Sequence, residues 1–81
     1  MPVVLKYKGY RFFFYSNEGN PRELLHIQVR RGSALAKIWL EPDPYVAESY
    51  GFGGDELNEL LQMAIKNKRM IARYWNDHFS Y

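Results

Sequence analysis

The two histidines of the sequence are the side chains best suited to acid–base chemistry near neutral pH. His26 and His78 are the only histidines among 81 residues, and histidine changes its charge in the physiological range. With Glu23, Glu41 or Asp77 as a partner, either could form an acid–base pair of the kind that small ribonucleases use. No spacing in the sequence fixes such a contact. His26 and His78 are therefore catalytic candidates, while the sequence as a whole favours a protein that is not an enzyme.

A second group of residues places aromatic rings beside cations on one face of a predicted sheet. Alternation along three strand segments assigns to this face Arg11, Phe13, Tyr15, His26, Gln28, Arg30, Lys37 and Trp39. In the strand from residue 10 to residue 16 the opposite assignment stays open, because Tyr10, Phe12 and Phe14 could equally be the displayed set.

This aromatic and basic face admits three interpretations. The same residue types are enriched at protein interfaces, which predicts a protein partner or a homodimer and is the interpretation we prefer. Rings interleaved with Arg and Lys can also stack unpaired bases and neutralise phosphates, which predicts binding of single-stranded nucleic acid or RNA cleavage. In the third interpretation, the connector that follows the sheet covers the face and forms a second small core.

The elements that must position these residues are a sheet followed by a helix. Alternating apolar residues and turn signals predict four strands near residues 3–7, 10–16, 25–31 and 34–41. Pro42 and Pro44 end the last strand, and residues 42–54 form a connector with one helical turn at 45–49. Apolar residues then recur at helical spacing over 55–79. The predicted fold class is α+β: a small antiparallel meander of about four strands with one long amphipathic helix packed on one face, in a single domain.

Composition limits the classes of site that the chain can form. Hydrophobic residues make up 47% and charged residues 25% of the sequence, as in an ordinary globular domain. The absence of cysteine excludes disulfides and thiolate metal sites. The glycine-bearing segments "SNEGN" and "YGFGG" match neither the phosphate-binding loop nor the dinucleotide fingerprint. We therefore predict neither a metal nor a cofactor.

Charge and hydropathy bear on location and partners. The net charge of +2 permits an anionic partner without requiring one. The opening "MPVVLKYKG" holds only a short apolar run, and no stretch approaches the ~20 apolar residues that cross a bilayer. These features predict a cytoplasmic protein that makes no contact with a membrane.

Several stretches, in this order and spacing, resemble a family of small bacterial proteins, the domain-of-unknown-function family numbered forty-one sixty. They are "GYRFFFYSNEGN", "AKIWLEP", "AESYGF", "ELNELL" and "WNDHF". Members of that family are often encoded beside another small protein, an arrangement that looks like a toxin–antitoxin pair. The resemblance therefore implies a protein-interaction role in such a pair.

The resemblance also bears on metal binding. Family members commonly carry a Pro-Pro-His-x-His stretch after the "SNEGN" segment, and here the matching stretch is "PRELLHIQV". His26 keeps the first histidine, but Gln28 stands at the second position. Because glutamine is a poor ligand for zinc and similar ions, a metal role that the family might have is in doubt for this chain.

Overall fold

The structure is a computed structural model that describes residues 3–16 and 23–79. Within these ranges the chain forms five strands and two helices. The strands are β1 (Val3–Tyr7), β2 (Tyr10–Phe13), β3 (His26–Arg31), β4 (Ala34–Trp39) and β5 (Tyr45–Tyr50), and the helices are α1 (Gly54–Lys66) and α2 (Lys68–His78). The α+β class and the meander are thus confirmed. No helix in the described part of the chain is long and apolar enough to cross a bilayer.

Each strand pairs antiparallel with its neighbour in the sequence, in the order β1-β2-β3-β4-β5. Tight turns join β1 to β2 and β3 to β4. Lys8 and Gly9 both have positive φ, at 48° and 82°, as a two-residue type I′ hairpin requires. Gly32 has a φ of 61° in the second turn. The two turns lie at the same end of the sheet.

Strand register decides which side of the sheet each residue of β2 occupies. Phe12 lies opposite Val29, whereas Phe13 lies opposite Gln28. Phe12 and Val29 belong to the core, so Phe13 points to the other side of the sheet. The buried set in this strand and just after it is Tyr10, Phe12 and Phe14. The assignment that the sequence left open is thereby settled in favour of Arg11 and Phe13 on the outer side.

The core lies between one side of the sheet and the two helices. α1 contributes Leu60 and Ala64, and α2 contributes Ile71 and Trp75; each pair is four residues apart and so lies on one helix face. Phe14 packs against Trp75 with ring centroids 5.2 Å apart. Burying an aliphatic or aromatic side chain of this size stabilises the fold by about 1.5–3 kcal/mol.

The predicted connector contains a fifth strand, so the sheet has one strand more than the predicted number of about four, and the prediction of a helical turn at 45–49 was wrong. In β5, Ser49 lies opposite Ala36 and Val46 lies opposite Ile38, with an irregular register between them. β5 is an edge strand whose side chains are exposed or half-buried throughout. It therefore lacks the alternation of buried and exposed residues by which the other strands were predicted.

The single long helix predicted over 55–79 is divided into α1 and α2 at Asn67. The backbone of Asn67 has φ −103° and ψ 16°, outside the α-helical values. Its side-chain amide donates a hydrogen bond of 2.8 Å to the carbonyl of Met63. Asparagine side chains compete for backbone groups in this way, which gives the break a physical cause although no Gly or Pro marks it.

Candidate binding face

The outer face of the sheet, opposite the helices, is organised in three transverse rows that follow from the strand register. The first row runs across all five strands: Lys6, Arg11, Arg30, Leu35 and Tyr50. The second row holds Val3, Phe13, Gln28, Lys37 and Glu48. The third row holds His26, Trp39 and Tyr45. Neighbouring strands lie about 5 Å apart, so the first row is about 19 Å long.

The structure buries part of the face that the sequence predicted to be displayed. Phe13 is 1% exposed, Gln28 6% and His26 0%, so the expectation that these three side chains face solvent was wrong. Arg11 and Arg30 are exposed, whereas Tyr15, Lys37 and Trp39 are half-buried. The accessible part of the outer face is therefore the first row together with β5, whereas Phe13, Gln28 and His26 are buried.

Register places His26 in the third row, but its packed ring also reaches the helices, because it contacts Trp75 of α2 as well as Trp39 of β4. Its ring lies between Trp39 and Trp75, with centroid distances of 5.0 and 4.9 Å. Nδ1 lies 3.0 Å from the carbonyl oxygen of Leu24 and 4.0 Å from Oε1 of Glu23. Alternation suggested a solvated ring, but the two tryptophans enclose this end of β3. A substrate in solution therefore reaches no atom of the His26 ring.

The other histidine candidate lies at the end of α2. His78 is exposed, and its ring packs against Phe14 and Phe79 at centroid distances of 5.4 and 4.8 Å. Within residues 3–16 and 23–79, no group of three or more His, Cys, Asp or Glu side chains is arranged to hold a metal ion.

Lys37 lies on the outer face, and the carboxylate of Glu23 neutralises its charge. Its Nζ donates a 3.2 Å hydrogen bond to Oε1 of Glu23 and lies 4.5 Å from the ring centroid of Trp39. These contacts hold Lys37 over the tryptophan, so it has little freedom to contact a ligand as an independent charge.

Lys6, Arg11 and Arg30 in the first row are exposed cations with no ion pair to an acid within the described ranges. The guanidinium of Arg30 lies 5.8 Å from the ring centroid of Phe13, which keeps it on the outer face by a cation–π contact. The first row is thus basic at β1 to β3 and apolar at β4 and β5.

The apolar part of the face lies on β4 and β5. Tyr45 and Tyr50 are 51% and 72% exposed, and Leu35 is half-buried beside Tyr50. A shallow depression of about 120 Å³ runs between the strands and is lined in part by Leu35, Lys37, Glu48 and Tyr50. The site prediction omitted Lys6, Leu35, Glu48 and both tyrosines. The run "YVAESY" after Pro44 has the β-branched and aromatic residues typical of a strand and was the signal available for finding β5.

On the side of the sheet that faces the helices, Glu56 of α1 forms hydrogen bonds with the β1–β2 hairpin and with Arg31 beside the β3–β4 turn. Its Oε2 accepts hydrogen bonds from the Tyr10 hydroxyl at 2.5 Å and from Arg31 at 2.6 Å. The bond from Tyr10, and then the backbone N–H of Gly53, hold the pKa of Glu56 below its usual value although burial opposes this. The same bond raises the pKa of Tyr10 above its usual value.

Glu59, one helical turn further along α1, makes a matching contact with the same hairpin. It accepts hydrogen bonds from the Tyr7 hydroxyl at 2.7 Å and from Lys8 at 3.0 Å. These two bonds lower the pKa of Glu59, and the bond to Glu59 raises the pKa of Lys8. Together the two carboxylates connect the β1–β2 hairpin and Arg31 to α1.

Comparison with known protein families gives a match that covers most of this architecture. The family model described as Domain of unknown function (DUF4160) matches residues 9–76. The chain belongs to the DUF4160 family. The match confirms the resemblance seen in the sequence motifs, and it spans the DUF4160 chain from the β1–β2 turn to the last turns of α2. Neither the curated proteins nor the solved structures include a match to this chain.

Proposed function

We propose that this DUF4160 protein is a protein-interaction module that docks a partner on β5 and the adjacent part of the outer face. The finer form of the proposal is that it is one component of a toxin–antitoxin-like pair, as the arrangement of genes in the family implies. The observation that carries the proposal is the pair of exposed tyrosines, Tyr45 and Tyr50, on an edge strand.

The exposed aromatic surface favours a protein partner. Tyr50 is 72% exposed at the end of the row that also holds Leu35, and Tyr45 lies beside half-buried Trp39 in another row. Tyrosine and tryptophan are the side chains most enriched among residues that dominate binding energy, particularly where they surround a pocket. The depression between β4 and β5 would accept an apolar side chain of the partner.

The edge position of β5 favours a protein partner for a second reason. β5 ends the strand order of the sheet, so within the described residues one side of its backbone pairs with no strand and could accept an added one. An extended segment can add to such an edge through main-chain hydrogen bonds, with side chains deciding specificity. Nucleic acid has no counterpart to this backbone pairing.

Co-expression with the product of the neighbouring gene tests the proposal. We expect a complex that elutes as a single species in gel filtration. Hydrogen exchange of the complex should then show added protection of backbone amides in β5, with the amides of α2 unchanged. Separate elution of the two proteins, or protection confined to α2, would contradict the proposed docking surface.

Single-stranded nucleic acid is the second candidate ligand, and the exposed cations in the first row favour it. Arg11 and Arg30 remain exposed, whereas His26 is buried, so the arrangement supports binding of RNA without cleavage by His26. Binding through phosphates should weaken steeply with salt. Titration of an oligonucleotide at two salt concentrations tests this candidate. An affinity that does not change with salt concentration would exclude nucleic acid as the ligand.

A further inference from the structure

Strands β1 to β4 and their two tight turns carry six cations, and three of these, which are neighbours, have no acidic partner within residues 3–16 and 23–79. Lys8 pairs with Glu59, Arg31 with Glu56 and Lys37 with Glu23. The unpaired cations within the described ranges are Lys6, Arg11 and Arg30. Strand register places Arg11 directly between the other two.

This juxtaposition opposes folding unless an anion relieves it. Like charges directly opposite each other on neighbouring strands are destabilising, and Arg11 faces a like charge on both sides. An anion bound beside Arg11 and Arg30 would relieve this repulsion.

A depression lies beside Arg11 and Arg30, between the β1–β2 and β3–β4 turns. It has a volume of about 320 Å³ and is lined by Gly9, Arg11, Arg30, Arg31 and Gly32. The two glycines come from the two tight turns, and neither contributes a side chain that would fill the space. An added Cβ at Gly32 would meet no atom within 4 Å, which shows that this wall of the depression is open.

Two of the three arginines are held in place by aromatic rings. The Arg31 guanidinium lies 4.4 Å from the ring centroid of Tyr10 and is also bonded to Glu56. The Arg30 guanidinium lies 5.8 Å from the ring centroid of Phe13, and Phe13 is buried. Guanidinium groups positioned in advance lose less conformational entropy when they bind an oxyanion.

We propose that this depression binds a phosphate monoester group, held by Arg11 and Arg30 with Arg31 at its edge. Because Glu56 balances Arg31, the two uncompensated charges on the wall belong to Arg11 and Arg30, and they match the charge of about −1.5 to −2 on a phosphate monoester at pH 7. The planar guanidinium forks suit phosphate oxygens. The site is independent of partner docking on β5 and needs no protein partner.

NMR titration of the free protein tests the site. The probes are glycerol 3-phosphate, a nucleoside 5′-monophosphate and the corresponding unphosphorylated nucleoside. We expect saturable shifts of the Arg11 and Arg30 side-chain Nε–H signals with both phosphates and none with the nucleoside. Equal affinity for the two phosphates would assign recognition to the phosphate group alone, and tighter binding of the nucleotide would assign an added contact to the base or sugar.

Arginine variants separate a specific site from general attraction to a basic protein. Arg11→Gln or Arg30→Gln should each weaken phosphate binding about tenfold, the usual loss for a charged hydrogen bond. Arg73→Gln removes an exposed cation from α2 and should leave the affinity unchanged. Equal losses in all three variants, or no saturable shift in the wild type, would overturn the proposal. An oligonucleotide that has only diester phosphates and binds more tightly than both monoesters would also overturn it.

Discussion

His26 has the residue type of an acid–base catalyst and the surroundings of a core side chain. The ring lies between two tryptophans and is fully buried. Replacement by alanine leaves a cavity that the neighbouring rings fill only in part. We predict that His26→Ala lowers the free energy of unfolding by about 2–4 kcal/mol, as for other large-to-small core substitutions, measured by urea denaturation.

The matched control for this prediction is the other histidine. His78 is exposed, and His78→Ala should change the free energy of unfolding by about 1 kcal/mol or less. If His26→Ala were as stable as the wild type, the packed role assigned to this ring would be wrong.

Glu56 and Glu59 predict a specific acid sensitivity. The pKa of each carboxylate in the folded protein lies below the ordinary value of 4.5, so the folded state favours the ionised form. The stabilisation is present above pH 4.5 and is lost as the pH falls through the lowered folded-state pKa values. The urea midpoint should therefore drop as the pH is lowered from 6 toward 3.

The double variant Glu56→Gln/Glu59→Gln should show a smaller drop over the same pH range, because it lacks the two titrating groups. Asp77→Asn alters an exposed acid on α2 and should reproduce the wild-type profile. An unchanged drop in the double variant would show that other carboxylates cause the acid sensitivity.

At the scale of elements, the junction between β5 and α1 depends on one glycine. Gly51 has a φ of 82°, and an added Cβ would lie 3.0 Å from Cβ and 3.2 Å from Cα of Ala34. Both the backbone conformation and the close approach to β4 oppose a side chain here. We predict that Gly51→Ala lowers the free energy of unfolding by about 1–3 kcal/mol, measured by thermal or urea denaturation.

Gly54 provides the control for the backbone effect. It is the first residue of α1, and an added Cβ would meet no atom within 4 Å. Gly54→Ala should be neutral or stabilise the fold by up to about 1 kcal/mol, since alanine restricts the unfolded chain. Equal effects at the two positions would contradict the account of this junction.

The accuracy of the sequence predictions differed between elements for physical reasons. β3 has one side in the core, and the alternation of Ile27 and Val29 with polar residues located it. No side chain of β5 is fully buried and its register is irregular, so its residues carry no such pattern. The division at Asn67 depends on a side-chain bond to the carbonyl of Met63, which helical periodicity does not encode.

The candidate site was predicted in part. Arg11 and Arg30 are displayed as expected, because side chains alternate along a regular strand. The burial of His26 and Phe13 could not be predicted, since it depends on rings and cations brought together by the fold. Tyr45 and Tyr50 were missed together with the strand that carries them.

At the scale of the whole molecule, one side of the sheet forms the core with the helices, and the other side carries the residues that we propose bind partners. The two helices cover one side of the sheet, and Glu56 and Glu59 of α1 bond to its first hairpin. The outer face is basic at β1 to β3 and aromatic at β4 and β5. Domains with one uncovered sheet face commonly use it for recognition when it carries exposed aromatic residues. The central claim is that the aromatic end docks a protein.

Isothermal titration with the purified product of the neighbouring gene tests this claim most directly. Tyr50→Ala should weaken binding about tenfold or more, the loss expected for a dominant interface tyrosine. Tyr74→Ala removes the same side chain from an exposed position on α2 and should leave the dissociation constant within about twofold of the wild-type value. The account is contradicted if no complex forms, or if Tyr74→Ala weakens binding while Tyr50→Ala does not.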